Sequence, residues 1–237
     1  MCGRFAMSAE TDDLIQEFVA EGGDFRDWRP GYNVRPTNTV AAVIQSAKGS
    51  GVAVRRLEPA RWSLTPPWSK TLKTAYPTFN ARSEGITEKA TWRGAVRQHR
   101  SLVIASGYYE WQTDPLTKVK TPYYLHPTDG QLLAFAGLYS WWRNPALADD
   151  DPDRWSLTTT ILTSDAVDEL LHIHDRNPVP LPRPFWERWL DPTVIGDQDL
   201  VDAAVQAALP IAGQLAVRRV APIPHNGEGP DLIQPID

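Results

Sequence analysis

Leu102-Val103-Ile104-Ala105-Ser106-Gly107-Tyr108-Tyr109-Glu110-Trp111 sets a short apolar run, closed by Ser-Gly, ahead of a carboxylate held between aromatic residues. Four apolar residues closed by Ser-Gly read as a buried strand that ends where the small residues begin. Glu110 then stands at the strand's end. Rings on either side strip water from a carboxylate, which raises its pKa and suits it to proton transfer near neutral pH. The competing reading is a strand-end glutamate paired with one of the chain's many arginines.

Outward from this stretch the pattern is mostly strands. Downstream, Tyr123 to Leu125, Leu132 to Tyr139 and the Thr-rich Ser156 to Thr163 read as three more. Upstream, Val40 to Ile44 is a buried run, Gly49-Ser50-Gly51 marks a hairpin turn, and Val52 and Val54 alternate on the return. Arg29-Pro30-Gly31-Tyr32-Asn33 reads as a turn, and Pro66-Pro67-Trp68 opens a long loop through Asn80-Ala81-Arg82-Ser83-Glu84. Pro145 to Asp153 reads as a solvated loop.

Helices are fewer. Ser8 is placed to cap one bearing Leu14, Ile15 and Phe18, and Glu88 to Arg97 turns Ala95 and Val96 inward. Ser164 is placed to cap a short helix with Val167, Leu170 and Leu171 on one face. Phe185, Trp186, Trp189 and Leu190 form an apolar stripe, Leu200 to Leu209 a last helix, and Leu215 to Val220 a closing strand. Strands outnumber helices without alternating with them. The fold class is therefore α+β, a single domain over residues 1–237.

The chain has 237 residues, enough to bury a large core, and ordinary contents of apolar (42%) and charged (22%) residues. One cysteine excludes an internal disulfide and a Cys-rich zinc site. No apolar run is long enough for a membrane span, so a cytoplasmic protein is expected. The net charge of −5 argues against a broadly basic nucleic-acid coat but not against a local Arg-lined groove.

That single cysteine is Cys2, within Met1-Cys2-Gly3-Arg4-Phe5. With Met1 trimmed, Cys2 would carry an α-amine of pKa about 8 beside a thiol of about 8.5, two nucleophiles on adjacent carbons. A 1,2-aminothiol condenses with aldehydes to a thiazolidine. The alternative is an inert buried thiol.

His172 and His174 precede Asp175-Arg176-Asn177-Pro178. In a strand the two would share a face and could bind a metal, but no second ligand cluster accompanies them. One proton-handling His beside an Asp and an Arg is the better reading. Arg4, Arg82 and Arg176 each neighbour a candidate and suit phosphate oxygens; Trp68 and Trp111 offer rings on which bases could stack. Surface ion pairs and core burial are their ordinary alternatives.

The ordered set Met1-Cys2-Gly3-Arg4-Phe5, Tyr32-Asn33-Val34-Arg35-Pro36, Trp62 with Pro67-Trp68, Asn80-Ala81-Arg82-Ser83-Glu84, Gly107-Tyr108-Tyr109-Glu110-Trp111 and Leu162-Thr163 with His174-Asp175-Arg176-Asn177-Pro178 resembles the SRAP family, the SOS-response-associated peptidase-like or abasic-site processing proteins. The resemblance runs from residue 1 to about residue 190, with a fainter echo in Asp231-Leu232-Ile233-Gln234-Pro235. It implies a compact α+β domain with a mostly antiparallel, barrel-like β core and peripheral helices. It also implies a monomeric sensor of abasic sites in single-stranded DNA, with no cofactor and no metal.

In that reading Cys2 forms the crosslink and Asn80 holds the lesion. Glu110 and His174 move protons. Arg4, Arg82 and Arg176 grip phosphates with a hydroxyl contact from Thr163. Trp68 wedges the strand, and Pro36 and Trp111 pack on bases. Arg35 and Asn177 depart from the family's smaller or apolar residues, and the Pro222-Ile223-Pro224-His225-Asn226-Gly227 tail is more proline-rich than usual. Two other functions share these residues: an N-terminal-Cys peptidase acting mainly on its own Met1, and a noncovalent single-strand binding module.

Overall fold

The computed structural model of the chain describes residues 3–9, 11–18, 29–47 and 51–236. Twelve strands are defined among them: β1 (Phe5–Met7), β2 (Gly31–Val34), β3 (Thr39–Ser46), β4 (Val54–Trp62), β5 (Asn80–Arg82), β6 (Arg100–Ala105), β7 (Gly107–Thr113), β8 (Lys120–His126), β9 (Leu133–Arg143), β10 (Trp155–Asp165), β11 (Arg176–Pro178) and β12 (Ala216–Arg219). Four α-helices join them: α1 (Thr11–Phe18), α2 (Ala90–Gln98), α3 (Arg183–Leu190) and α4 (Gln198–Gly213).

The stretch from Leu102 to Trp111 is two strands, not one. A single residue, Ser106, separates β6 from β7, and there the chain leaves one sheet for the other. Ser106 closes the corner by donating its amide to Ala6 O (2.7 Å), and its hydroxyl lies 3.0 Å from that of Ser8. Ser8 is thus spent on the corner rather than capping α1. Gly107 has to be glycine because a Cβ there would sit 2.6 Å from Leu125 O and 2.5 Å from the Tyr124 hydroxyl. Glu110 consequently lies inside a strand, with Tyr123 opposite it on β8, and not at a strand end.

The first sheet runs β12-β8-β7-β1-β2, every neighbour antiparallel. The second runs β10-β4-β3-β6-β9 and closes because β9 also pairs with β10 from Trp155↔Arg143 to Ile161↔Gly137. Only the β10–β4 contact in that ring is parallel. This is the barrel-like, mostly antiparallel core that the resemblance implied, within the α+β class read from the sequence, and closure leaves the ring without free edges.

β10 holds the barrel together because Thr-rich sequence suits a strand buried on both faces when its hydroxyls find acceptors. Thr158 and Thr159 donate to Ser140 O (3.1 Å) and Leu138 O (2.9 Å). Beyond the ring β10 continues, with β5 parallel on one edge (Ile161↔Asn80 to Thr163↔Arg82) and β11 antiparallel on the other. The expected loop through Asn80-Ala81-Arg82 is therefore a strand: a three-residue segment carries no periodicity to read, and its pairing is with residues far along the chain. The same holds for Gly31–Val34, read as a turn from its Pro-Gly and found as β2 beside β1.

Other expectations hold or shift by a few residues. β3 and β4 form the hairpin, Ser46 opposite Val54, although residues 48–50 of its turn lie outside the described residues and Val52 precedes the strand. Ser164 belongs to β10 and caps nothing; the next element is one 3₁₀ turn (Asp168–Leu170) that buries Leu170 and exposes Leu171. α3 buries Trp186, Trp189 and Leu190 as its stripe requires. One cluster of buried side chains draws Phe5 and Tyr108 from the first sheet, Val43 and Leu102 from the second, and Leu14, Val96, Trp189 and Val201 from the four helices. No helix among the described residues is long and apolar enough to cross a membrane.

Candidate functional site

β1 lies between β7 and the edge strand β2, so Phe5–Met7 run inside the first sheet, one strand from its edge. Phe5 is opposite Tyr108, and the Tyr109 amide donates to Arg4 O at 2.9 Å. Because the pair is antiparallel, going from Phe5 towards the N-terminus runs along β7 towards Glu110 and Trp111. Phe5, fully buried against Trp62 (ring centroids 4.8 Å apart), anchors the strand. Met1 and Cys2 themselves lie outside the described residues.

Glu110 is 4% exposed. Loss of water around it drives its carboxyl above the usual carboxylate range, and the nearby His174 pulls in the opposite direction. Burial raises the pKa as anticipated, but not through the rings beside it in sequence: along β7 Tyr109 and Trp111 fall on the opposite face from Glu110. Trp111, half-buried, lies beside Arg4, whose Cζ is 5.4 Å from the ring centroid. Burial first, then the charge of Arg35, lowers the Arg4 pKa.

His172 and His174 sit in a turn and not a strand, so the shared-face argument for a metal pair fails. Among the described residues no three His, Cys, Asp or Glu side chains gather as a metal site. The turn is tied to β7 by Gln112 Nε2, which donates to His172 O at 2.8 Å. His174 Nδ1 is 3.0 Å from the Arg176 amide and 2.8 Å from Asp175 Oδ1. One nitrogen cannot accept from the first and donate to the second together. Nδ1 accepts the amide proton, which leaves the ring's own proton on Nε2.

The remaining candidates lie along β10. Asn80, Ala81 and Arg82 flank Ile161 to Thr163 on one edge, and Arg176 approaches from the other. Thr163 O accepts from the Ser83 amide (2.9 Å) and from Arg176 Nη2 (2.6 Å). Arg176 is buried and also donates to Glu84 and to Asp165 Oδ1 (2.6 Å), so it joins the edges of β10. Those acids raise its pKa against the cost of burial. Thr163 is fully buried, and its hydroxyl has no hydrogen-bond partner among the described residues. The side chain does not reach the surface, which corrects the expectation of a hydroxyl contact made there. Arg82 is exposed.

The structure thus brings Arg4 and Trp111 together beside β1 and sets Glu110 near His174, on the other face of β7 from Trp111. Asn80, Arg82, Thr163 and Arg176 line the adjoining end of β10. Pro36 is half-buried in the turn after β2. Trp68 is 63% exposed and lines a groove with Leu64, Pro67, Ala95, His99 and Tyr139, none of which is among the other candidates.

Three participants were not foreseen. Gln112 ties the His174 turn to the strand of Glu110. Glu84 holds Arg176. The tail is bound to β2 through Asn33 Nδ2, which lies 2.6 Å from Gly227 O and 3.2 Å from Pro224 O. Glu84 and Asn33 each carried a local sign, a place in a motif already singled out.

The sequence profile of the family described as SOS response associated peptidase (SRAP) matches residues 1–222. The chain is 35% identical over 198 residues to the abasic site processing protein YoqW of Bacillus subtilis, covering 81% of each. It is 30% identical over 222 residues to the abasic site processing protein YMR114C of Saccharomyces cerevisiae, covering 81% of this chain and 55% of that one. A solved Bacteroides thetaiotaomicron protein superposes with TM-score 0.79 at 19% identity over 99% of this chain and all of that one, a likeness of fold. A phage-related protein of Bordetella bronchiseptica gives 0.67 at 25% identity, covering 94% and 95%.

Proposed function

The chain belongs to the SOS response associated peptidase family, and from that membership and the pairing of β1 with β7 we propose that it captures abasic sites in single-stranded DNA as a covalent adduct on Cys2. The observation that carries the reading is the placing of buried Glu110 on the strand that flanks the chain's first residues, with the His174 turn tied to the same strand through Gln112.

The chemistry balances with no cofactor. After removal of Met1, the Cys2 amine attacks the aldehyde carbon of the ring-opened sugar, and the carbinolamine loses one water to a Schiff base. Glu110, whose pKa burial raises above the ordinary carboxylate value, donates the proton that leaves with the water. The Cys2 thiol then adds to the imine carbon, its proton passing to the nitrogen, and a five-membered thiazolidine closes. His174 shuttles protons between amine, thiol and sugar. Asn80 orients the sugar, Arg4 and Arg82 contact phosphates, and exposed Trp68 and half-buried Trp111 and Pro36 contact bases. Arg176 and Thr163 act from beneath as the frame that positions Asn80 and Arg82. An abasic sugar has no base to unstack, which lowers the cost of presenting it.

The test pairs wild type with Cys2→Ala on single-stranded DNA bearing one abasic site, read as an adduct that survives denaturation, alongside intact mass of the protein. Adduct from the Met1-free form alone, absent in Cys2→Ala, is expected. Equal adduct yield from both proteins would sink the assignment. Removal of Met1 by the chain itself is the peptidase activity these groups could support, and retained Met1 in Glu110→Ala made without methionine aminopeptidase would reveal it.

A further inference from the structure

We propose that Arg35 joins Arg4 in a subsite for one phosphodiester of a single strand, beside the ring of Trp111. The inference rests on the single-strand reading above and adds to it a binding residue at the end of β2.

Antiparallel β1 and β2 place Phe5 opposite Val34. One residue further along the same register, Arg4 stands opposite Arg35. Directly opposed like charges on a sheet are unfavourable unless something between them offsets the repulsion. The structure holds them there by alternate carbonyls of one segment: Arg4 Nη1 donates to Ile223 O (3.4 Å) and Arg35 Nη1 to His225 O (2.8 Å). Asn33 fixes that segment from between them, through Pro224 O and Gly227 O. Arg35 forms no ion pair among the described residues. Glu228, the acid of the same segment, accepts from the Tyr32 amide instead.

The Arg35 guanidinium, half-buried and oriented through one arm by His225 O, keeps further donors for a planar or tetrahedral anion, with the charge of Arg4 beside it. The Trp111 indole beside Arg4 supplies an adjoining stacking surface, the combination single-strand grooves use. The anion this fits is a backbone phosphate whose nucleoside lies on Trp111.

The test is noncovalent binding of the full chain to a short, lesion-free oligothymidylate across a salt series. Arg35→Gln keeps a donor for His225 O and removes the charge. Its slope of log K against log salt is expected to be shallower than wild type by about 0.7, the value for one lost phosphate contact on a single strand. Arg35→Lys should keep the wild-type slope. An Arg35→Gln slope equal to wild type overturns the subsite, as does an Arg35→Gln chain that no longer melts cooperatively, which would assign the side chain to holding the tail. A wild-type chain that binds no lesion-free strand at low salt would remove the single-strand reading and the subsite with it.

Discussion

The guanidinium of Arg176 and the carboxylate of Glu84 meet in a two-bond fork, Nη1 to Oε1 at 2.8 Å and Nη2 to Oε2 at 2.9 Å. The pair is lopsided: the Arg176 side chain is 8% exposed, while those of Glu84 and of its second partner Asp165 are 53% and 87% exposed. Removing the arginine also strips Thr163 O of a buried donor, whereas removing one acid leaves Arg176 with the other. Arg176→Ala should therefore cost about 2–3 kcal/mol and Glu84→Gln under about 1 kcal/mol. Urea unfolding of both variants checks this, and equal losses would contradict it. Burial pushes the Glu84 pKa up, but the bonds from Arg176 bring it below the usual value. Its stabilisation is thus present above the unfolded carboxylate pKa and lost as pH falls through the folded one. The difference between Glu84→Gln and wild type should shrink in acid.

Glu110 works with the opposite sign. Burial raises its folded pKa, so the folded chain keeps a proton that the unfolded chain releases, and this group's contribution to stability declines as pH rises from the unfolded pKa through the folded one. Glu110→Gln has nothing to deprotonate. It should be more stable than wild type at alkaline pH, with the gap narrowing towards acid. Adduct formation should fall by about 10² to 10⁴, as for loss of a general acid, and lose its alkaline decline. An unchanged rate, or a variant less stable at every pH, would remove Glu110 from the proton-transfer role.

The elements readable in the sequence were those with their own periodicity: β3, β9, β10, α2 and α3 each carry an apolar pattern that decides face and type. Lost were β2, β5 and β11, short segments whose pairing comes from residues far away, and the division of Leu102–Trp111 at Ser106, where both halves are apolar enough to read as one strand and its end. Tyr108 and Tyr109 are both buried because β7 is covered on two faces, which alternation cannot reveal. At the site, Glu110 was legible as a desolvated carboxylate, although the rings beside it in sequence fall on the other face of β7. The Arg176 fork, Gln112 and the tail contacts were not, because each joins residues at least 60 positions apart.

Arg100, the first residue of β6, is 2% exposed. It donates to five carbonyls: Trp189 O (2.6 Å), Asp191 O (2.6 Å), Val96 O (2.8 Å), Arg97 O (2.8 Å) and Val194 O (2.9 Å). The ends of α2 and α3 and the loop after α3 are thus held by a single fork. Arg100→Ala should cost about 4 kcal/mol or more, since several buried acceptors lose their donor at once. Arg100→Lys should recover little, because one ammonium cannot span acceptors on both sides. A melting midpoint for Arg100→Lys close to wild type would refute the bridging role.

Asn33 is 6% exposed and its Nδ2 faces the carbonyls of Gly227 (2.6 Å), Pro224 (3.2 Å) and His225 (3.4 Å). An amide nitrogen has two protons, so at most two of the three are satisfied together, Gly227 foremost. Asn33→Ala should cost about 1–2 kcal/mol and raise proteolysis and hydrogen exchange within residues 222–228 ahead of the barrel strands. Asn33→Asp, which sets an acceptor against acceptors, should be worse than Asn33→Ala. Because the same segment orients Arg4 and Arg35 through Ile223 O and His225 O, both variants should also weaken lesion-free strand binding while β10 stays protected. Wild-type exchange across the segment in Asn33→Ala would show that the tail is held by its apolar contacts, Ile223 and Ile233 against Tyr109 and Tyr124, and not by this side chain.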